Sequence, residues 1–298
     1  MYIHQKGIFV KNRSIKHILY GQPFDMGGMP VRQPFPSSEV ERIDPFLLLH
    51  HAEVKVPKHI PVEKAGVGPH PHRGFSPVTF VFKGGVHHRD SRGNNNIVYK
   101  GGTQWMNAGM GLIHSERPPQ DIFENGGVQE IIQLWINVPA KNKMDTPSYF
   151  PLNAEDTPFF KSGDGLTDIN VIAGKVKNVR GAIAPLSPLN TFTATFKKGG
   201  KYFFEIPPSH NLFIYLLDGK LKINNATEIQ GKYAMVFANN GDGFDVEALE
   251  DTRFFIGSGE PLNEPVASHG PFVMNDQTEI LQAFRDYQLG KMGVLIEE

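Results

Sequence analysis

The chain has no cysteine. Disulfides, thiolate metal ligands and cysteine nucleophiles are thereby excluded. Such a chain fits a reducing cytosol, although a periplasmic protein can also do without cysteine. Net charge is nearly absent as well: 30 basic against 31 acidic residues leave -1. No long-range basic field draws the protein onto nucleic acid or anionic lipid. Long apolar runs are also missing. Runs such as Phe46-Leu47-Leu48-Leu49 are far too short to span a bilayer. The opening MYIHQKGIFVKNRSIKHILY mixes charged with apolar residues and has no continuous apolar stretch of signal-peptide length. The expectation is a cytoplasmic protein with no membrane partner and no direct nucleic-acid partner.

What is present points to β-structure. Gly (31) and Pro (23) are plentiful, which implies many turns and short strands. The 298 residues favour two domains. Val78 to Phe82 is rich in β-formers and stops at Lys83-Gly84-Gly85. Val86 to Asp90 reads as its return strand, Ile97 to Tyr99 as another, and Gln129 to Val138 as a strong apolar strand closed by Pro139. Strands this short and regular suggest a sandwich or barrel. Pro139 to Phe160 is rich in Pro and charge and reads as a connector. A second series follows, from Asn190 to Phe196 through Arg253 to Ile256, with a hairpin signal at Asp218-Gly219. We therefore expect an all-β chain of two barrels, over residues 1–139 and 140–298. A C-terminal helix should open near Asn275 and stop at Gly290.

Three of the 12 histidines sit in two tight pairs, His70-Pro71-His72 and His114-Ser115-Glu116. On a strand, residues i and i+2 share a face. Each pair would thus aim two ligand-capable side chains at one point. Neighbouring strands would join three imidazoles and a carboxylate, a set suited to Fe, Mn, Ni, Cu or Zn. Octahedral coordination would leave two positions open. A single HxH among twelve histidines also fits a polar surface, and so does His-Ser-Glu. The setting argues against that, because both pairs lie among glycines and prolines inside a β-rich unit. Arg73 reads as a residue that holds a loop or orients an anion. His87 and His88 read as an exposed polar face, with a second metal position as the alternative. His50 and His51 read as structural, and Trp105 and Met106 as barrel filling or pocket lining. Gly109 and Gly111 should allow turns that aim His114 inward. His210 and His269 lack ligand spacing, so the second barrel should be metal-free.

The chain resembles the pirin family of bicupins. The matching blocks are Asp44-Pro45-Phe46-Leu47-Leu48, His70-Pro71-His72-Arg73-Gly74-Phe75, His88-Arg89-Asp90-Ser91, Gln104-Trp105-Met106-Asn107-Ala108-Gly109 and Gly111-Leu112-Ile113-His114-Ser115-Glu116. Gln133-Leu134-Trp135-Ile136-Asn137, Gly259-Glu260-Pro261-Leu262-Asn263-Glu264-Pro265 and His269-Gly270-Pro271-Phe272-Val273-Met274-Asn275 continue the match. The resemblance implies two tandem cupin barrels with a metal in the N-terminal one only. It places one divalent ion, taken as Fe(II), on His70, His72, His114 and Glu116. It implies a quercetin 2,3-dioxygenase-like oxidoreductase acting on a flavonol; Glu116, the nearest carboxylate, is then the expected catalytic base, with holding the metal alone as the alternative. The alternative it carries is an iron-dependent regulator that binds a protein partner without turnover. One departure stands out: where family members commonly have Glu after Arg-Gly-Phe, this chain has Ser76. A contact behind the metal ligands is then lost, with consequences for metal preference.

Overall fold

The computed structural model describes residues 10–56, 58, 61 and 64–297. Residues 1–9, where the expected first domain begins, lie outside the described residues.

Alternating small, aromatic and β-branched residues between glycine turns produce two barrels of paired sheets. The first uses strands β1 (Ile15–Tyr20) to β12 (Ser148–Leu152) less β1 itself. Between them come β2 (Gln22–Met26), β3 (Met29–Phe35), β4 (Phe46–Lys55), β5 (Val67–His72), β6 (Phe75–Lys83) and β7 (Gly85–Asp90). Then follow β8 (Asn95–Tyr99), β9 (Thr103–Asn107), β10 (Leu112–Arg117), a short helix α1 (Gln120–Asn125) and β11 (Val128–Asn137). One sheet has the order β12-β9-β6-β11-β4-β3-β2 and the facing sheet β5-β10-β7-β8. The expected strands fall where the turn signals placed them, with ends that differ by a few residues.

The second barrel repeats the plan. Its large sheet runs Tyr233–Phe237, Asn211–Asp218, Thr252–Gly259, Leu189–Phe196, Thr167–Ala173, Phe159–Lys161, and a four-stranded sheet faces it. Strand pairing crosses between the two halves. β1 joins the second barrel beside Tyr233–Phe237, and β12, inside the expected connector, joins the first beside β9. Arg13 helps seat the N-terminal segment there: its guanidinium donates to the carbonyls of His210 and Pro207, both at 2.7 Å.

The main core is shared. Phe35, Phe46, Phe80 and Ile132 of the first barrel pack in one cluster with Phe213, Tyr215, Leu217 and Phe255 of the second. Beside it sits an ionic network. Glu130, fully buried, accepts from Arg253 at 2.7 and 3.1 Å and lies 3.3 Å from Nε2 of His51, whose Nδ1 meets the Tyr215 hydroxyl at 3.0 Å. His51 thus has the structural role its sequence context suggested.

The C-terminal helix α2 spans Gln277–Gln288. Its cap is Asp276 rather than Asn275. The Asp276 carboxylate accepts from Glu279 N at 2.9 Å, while the Glu279 carboxylate accepts from Asn275 N at 2.8 Å. This is a reciprocal capping box displaced by one residue from the usual arrangement. The helix lies on the hairpin of Ala267–His269 and Phe272–Met274, and through that hairpin on the first barrel. Among the described residues no helix is long and apolar enough to cross a membrane.

Candidate metal centre

β5 and β10 are antiparallel neighbours, with His70 opposite His114 and His72 opposite Leu112. The i, i+2 rule then puts all three imidazoles on the barrel's inner face. His70 Nε2 lies 3.1 Å from His72 Nε2 and 3.0 Å from His114 Nε2. His72 and His114 are buried, at 2% exposure each. Burial, and then the neighbouring His70, push both imidazoles well below their ordinary range, so they stay neutral and ready to donate lone pairs.

Two glycines shape the approach. Gly74 follows the His pair at φ +84°, and a Cβ there would stand 2.0 Å from the Val273 carbonyl oxygen. Gly111, at φ +118°, lets the Met292 side chain lie over the entry to β10, where a Cβ would come within 2.7 Å of it. Both positions need a backbone that L side chains rarely adopt.

The donor set fits a metal ion. Metal–nitrogen bonds of about 2.1 Å at right angles put neighbouring nitrogens about 3.0 Å apart. The two observed separations match. Among the described residues, His70, His72 and His114 form a group that could hold an ion, with ligand atoms within 4.8 Å of one another.

Glu116 stands outside that group. A register shift separates it from His114 along the β5–β10 pairing. Its carboxylate accepts from the Thr79 hydroxyl at 2.7 Å through one oxygen and from Gln133 Nε2 at 2.7 Å through the other. It also lines a largely apolar cavity of about 20 Å³ with Met26, Met29, Val31, Ile131 and Gln133. A space of that size holds about one water molecule.

Other sequence expectations sort clearly. Arg73 holds loops: its Nε donates to Met110 O at 2.7 Å and its Nη1 to Asp286 at 3.0 Å. Trp105 and Met106 are buried filling. Ser76 donates to Asn107 Oδ1 at 2.7 Å, away from the imidazoles' own hydrogen-bond partners. His50 lies under Phe24, stacked at 5.7 Å, and meets Gln33 Oε1 at 2.7 Å. His87, partly exposed, pairs with Asn95 at 2.6 Å. His88 is different and corrects the expectation of an exposed face. It is 1% exposed, with its Nδ1 3.4 Å from His114 Nδ1 and its Nε2 3.0 Å from Asp90. The signal was available: His88-Arg89-Asp90 is a third i, i+2 pair, on a strand paired with β10. Thr79 and Gln133 carried no such signal, because they come from β6 and β11 across the barrel.

Two facing sheets closed into paired barrels, with a cluster of histidines inside one of them, define a double-barrelled cupin. Residues 28–136 match the family description Pirin, and residues 191–293 match Pirin C-terminal cupin domain. The chain belongs to the pirin family. It is 35% identical to Pirin-like protein 2 of Arabidopsis thaliana over 96% of this chain and 87% of that one. It is also 35% identical to a Pseudomonas aeruginosa relative that carries the provisional name quercetin 2,3-dioxygenase, over 89% of this chain and 92% of that one. A crystal structure of quercetin 2,3-dioxygenase from Acinetobacter baumannii superposes with a TM-score of 0.90 at 34% identity, covering 96% of this chain and all of that one.

Proposed function

We propose that the protein is a metal-dependent dioxygenase of the pirin type that acts on a flavonol such as quercetin. Its centre holds one divalent ion, iron, through His70, His72 and His114, with Glu116 as the fourth ligand and as the base. The observation that carries this reading is the convergence of three imidazoles on one point, with Glu116 two residues from His114 on the same strand. The relatives' names point to the same chemistry.

An ion bound there supplies Lewis acidity toward an anionic oxygen and, as iron, electron exchange with dioxygen. The chain's own residues do the rest. Held by imidazole lone pairs and one carboxylate, a divalent ion would keep a net positive charge at the centre that favours a deprotonated flavonol hydroxyl. Glu116 takes that proton. Thr79 and Gln133 each use one lone pair of its two oxygens, which leaves others free and fixes the carboxylate's plane. Met26, Met29, Val31 and Ile131 give the aromatic rings an apolar surface and keep water from the anion. The cavity must widen to admit a flavonol. The β2–β3 hairpin carries both methionines and turns at Gly27 and Gly28, both with positive φ, so it is the wall best placed to move.

The test separates holding the metal from using it. Glu116→Gln keeps the size but removes charge and basicity. The iron-loaded variant should lose about 100-fold or more of its oxygen uptake with quercetin, the scale of general-base catalysis, while retaining more of its iron than of its activity. Unchanged activity per bound iron would exclude the base role. No oxygen uptake by the wild type with any flavonol would overturn the dioxygenase reading.

A further inference from the structure

The three imidazoles of the centre are not held alike. His70 and His72 turn their Nδ1 atoms to backbone carbonyls, those of Gly68 at 2.8 Å and Pro271 at 3.3 Å. A carbonyl only accepts, so both Nδ1 atoms carry hydrogen and both Nε2 atoms are bare. His114 has no carbonyl behind it. Its Nδ1 faces the Nδ1 of His88 at 3.4 Å, a nitrogen that can give or take.

What decides the direction lies one step further out. Asp90 Oδ1 accepts from the backbone N–H groups of Arg92 at 2.9 Å and Asn94 at 3.0 Å. Its Oδ2 accepts from Asn94 Nδ2 at 2.7 Å and meets His88 Nε2 at 3.0 Å. Burial pulls the Asp90 carboxyl upward, but the hydrogen bonds from His88, Asn94 and Arg92 outweigh it and hold the group below its ordinary range. An ionised carboxylate is an acceptor only. His88 Nε2 therefore donates, and a ring that carries only that hydrogen accepts at Nδ1. His114 Nδ1 is then placed to donate to it, in competition with the acceptor that His70 Nε2 offers His114 Nε2 at 3.0 Å, and a hydrogen on Nδ1 leaves His114 Nε2 bare beside the other two. The Tyr149 ring, stacked on His88 at 3.9 Å and 7°, keeps the intermediate ring in plane.

We propose that His88 and Asp90 are positioning residues: they hold His114 as its Nδ1–H tautomer and thereby make its Nε2 the third ligating nitrogen. The consequence for metal binding rests on the reading of the three histidines as a metal centre. The tautomer itself does not.

Asp90→Asn tests the relay with little change of shape. The backbone N–H groups of Arg92 and Asn94 require an acceptor, so the amide oxygen must take the Oδ1 place and the NH₂ must face His88. His88 Nε2 then accepts, its Nδ1 donates, and His114 is driven to the Nε2–H form that cannot bind a metal. Two-bond ¹H–¹⁵N spectra of the metal-free protein at mildly alkaline pH read the ring forms directly. We expect Nδ1–H at His114 in the wild type and Nε2–H in Asp90→Asn. Zinc(II) affinity, measured against a competing chelator, should fall about 10- to 100-fold, the range for residues that orient a ligand from behind. His88→Phe cuts the relay, so adding Asp90→Asn to it should cost nothing more. The same His114 tautomer in wild type and Asp90→Asn, an unchanged zinc affinity in a zinc-binding wild type, or an equal loss on the His88→Phe background would each overturn the proposal. If the wild type binds no zinc, the metal reading fails and the two spectra still decide the relay.

Discussion

At the residue scale, the centre depends on lone pairs that have no partner except one another. His70 Nε2 sits 3.1 and 3.0 Å from two other Nε2 atoms, a spacing that a shared cation would fit. His72 is the most exacting of the three positions. It is buried, its Nδ1 is tied to Pro271, and its ring meets Trp135 edge-on at 5.4 Å. His72→Ala removes one ligand of the proposed centre. Metal content by elemental analysis should fall from about one ion per chain to a small fraction of that, since each ligand carries a large share of the binding free energy. Equal metal in variant and wild type would contradict the assignment. The two pairs were legible in the sequence because i, i+2 spacing on a strand is a local rule. The His88–Asp90 pair followed the same rule, but the ring that covers His88, Tyr149, comes from the segment that read as a connector.

At the element scale, α2 fastens the C-terminal segment to the ligand-bearing strands through one carboxylate. Asp286 accepts from Lys291 at 2.8 Å, Arg73 at 3.0 Å and Gln282 at 2.7 Å. The hydrogen bond from Lys291 is the leading cause, burial works against it, and Arg73 and Gln282 add to the lowering. Together they hold the carboxyl down to about 2. This lies below its ordinary value of 3.8, so the stabilisation is complete at neutral pH and fades as pH falls through that window. Hydrogen exchange along α2 should therefore accelerate on acidification from about pH 4 toward 2. Asp286→Asn should exchange faster at neutral pH and lose most of that acid dependence. Identical pH profiles in both proteins would exclude Asp286 as the fastening group. The helix was legible from its spacing and its cap-forming residues. Its partner was not, because Arg73 is more than two hundred positions away along the chain.

At the scale of the molecule, the two barrels share a core and a buried charge. Glu130 is fully buried, and burial alone would raise its carboxyl. The bonds from His51 and Arg253 overcome this and hold it well below the ordinary carboxylate range. Arg253 reaches it from the second barrel and also pairs with Asp218. Arg253→Met removes the second barrel's charge from a carboxylate that Lys83 and His51 still touch. The cost should be about 3 kcal/mol, the low end for breaking a buried pair. Because the aromatic cluster spans both barrels, calorimetry should show one transition that shifts downward as a unit. Two resolved transitions, only one of them shifted, would contradict a shared core.

The alternation of short strands and turns, the two barrels, the histidine pairs and the capped C-terminal helix are all written in local patterns of the chain. Each of these follows from side-chain type at fixed local spacing, where the period of a strand or a helix does the selecting. Which strands are neighbours, and what stands behind each histidine, is set by long-range packing. β1 crosses to the second barrel, and Pro271 from the C-terminal half orients His72. Glu116 is turned to Thr79 and Gln133 by a register shift in β10. These are long-range choices, made by the burial of one shared core and by the need of every buried donor and acceptor for a partner. No local pattern encodes which distant residue will meet that need.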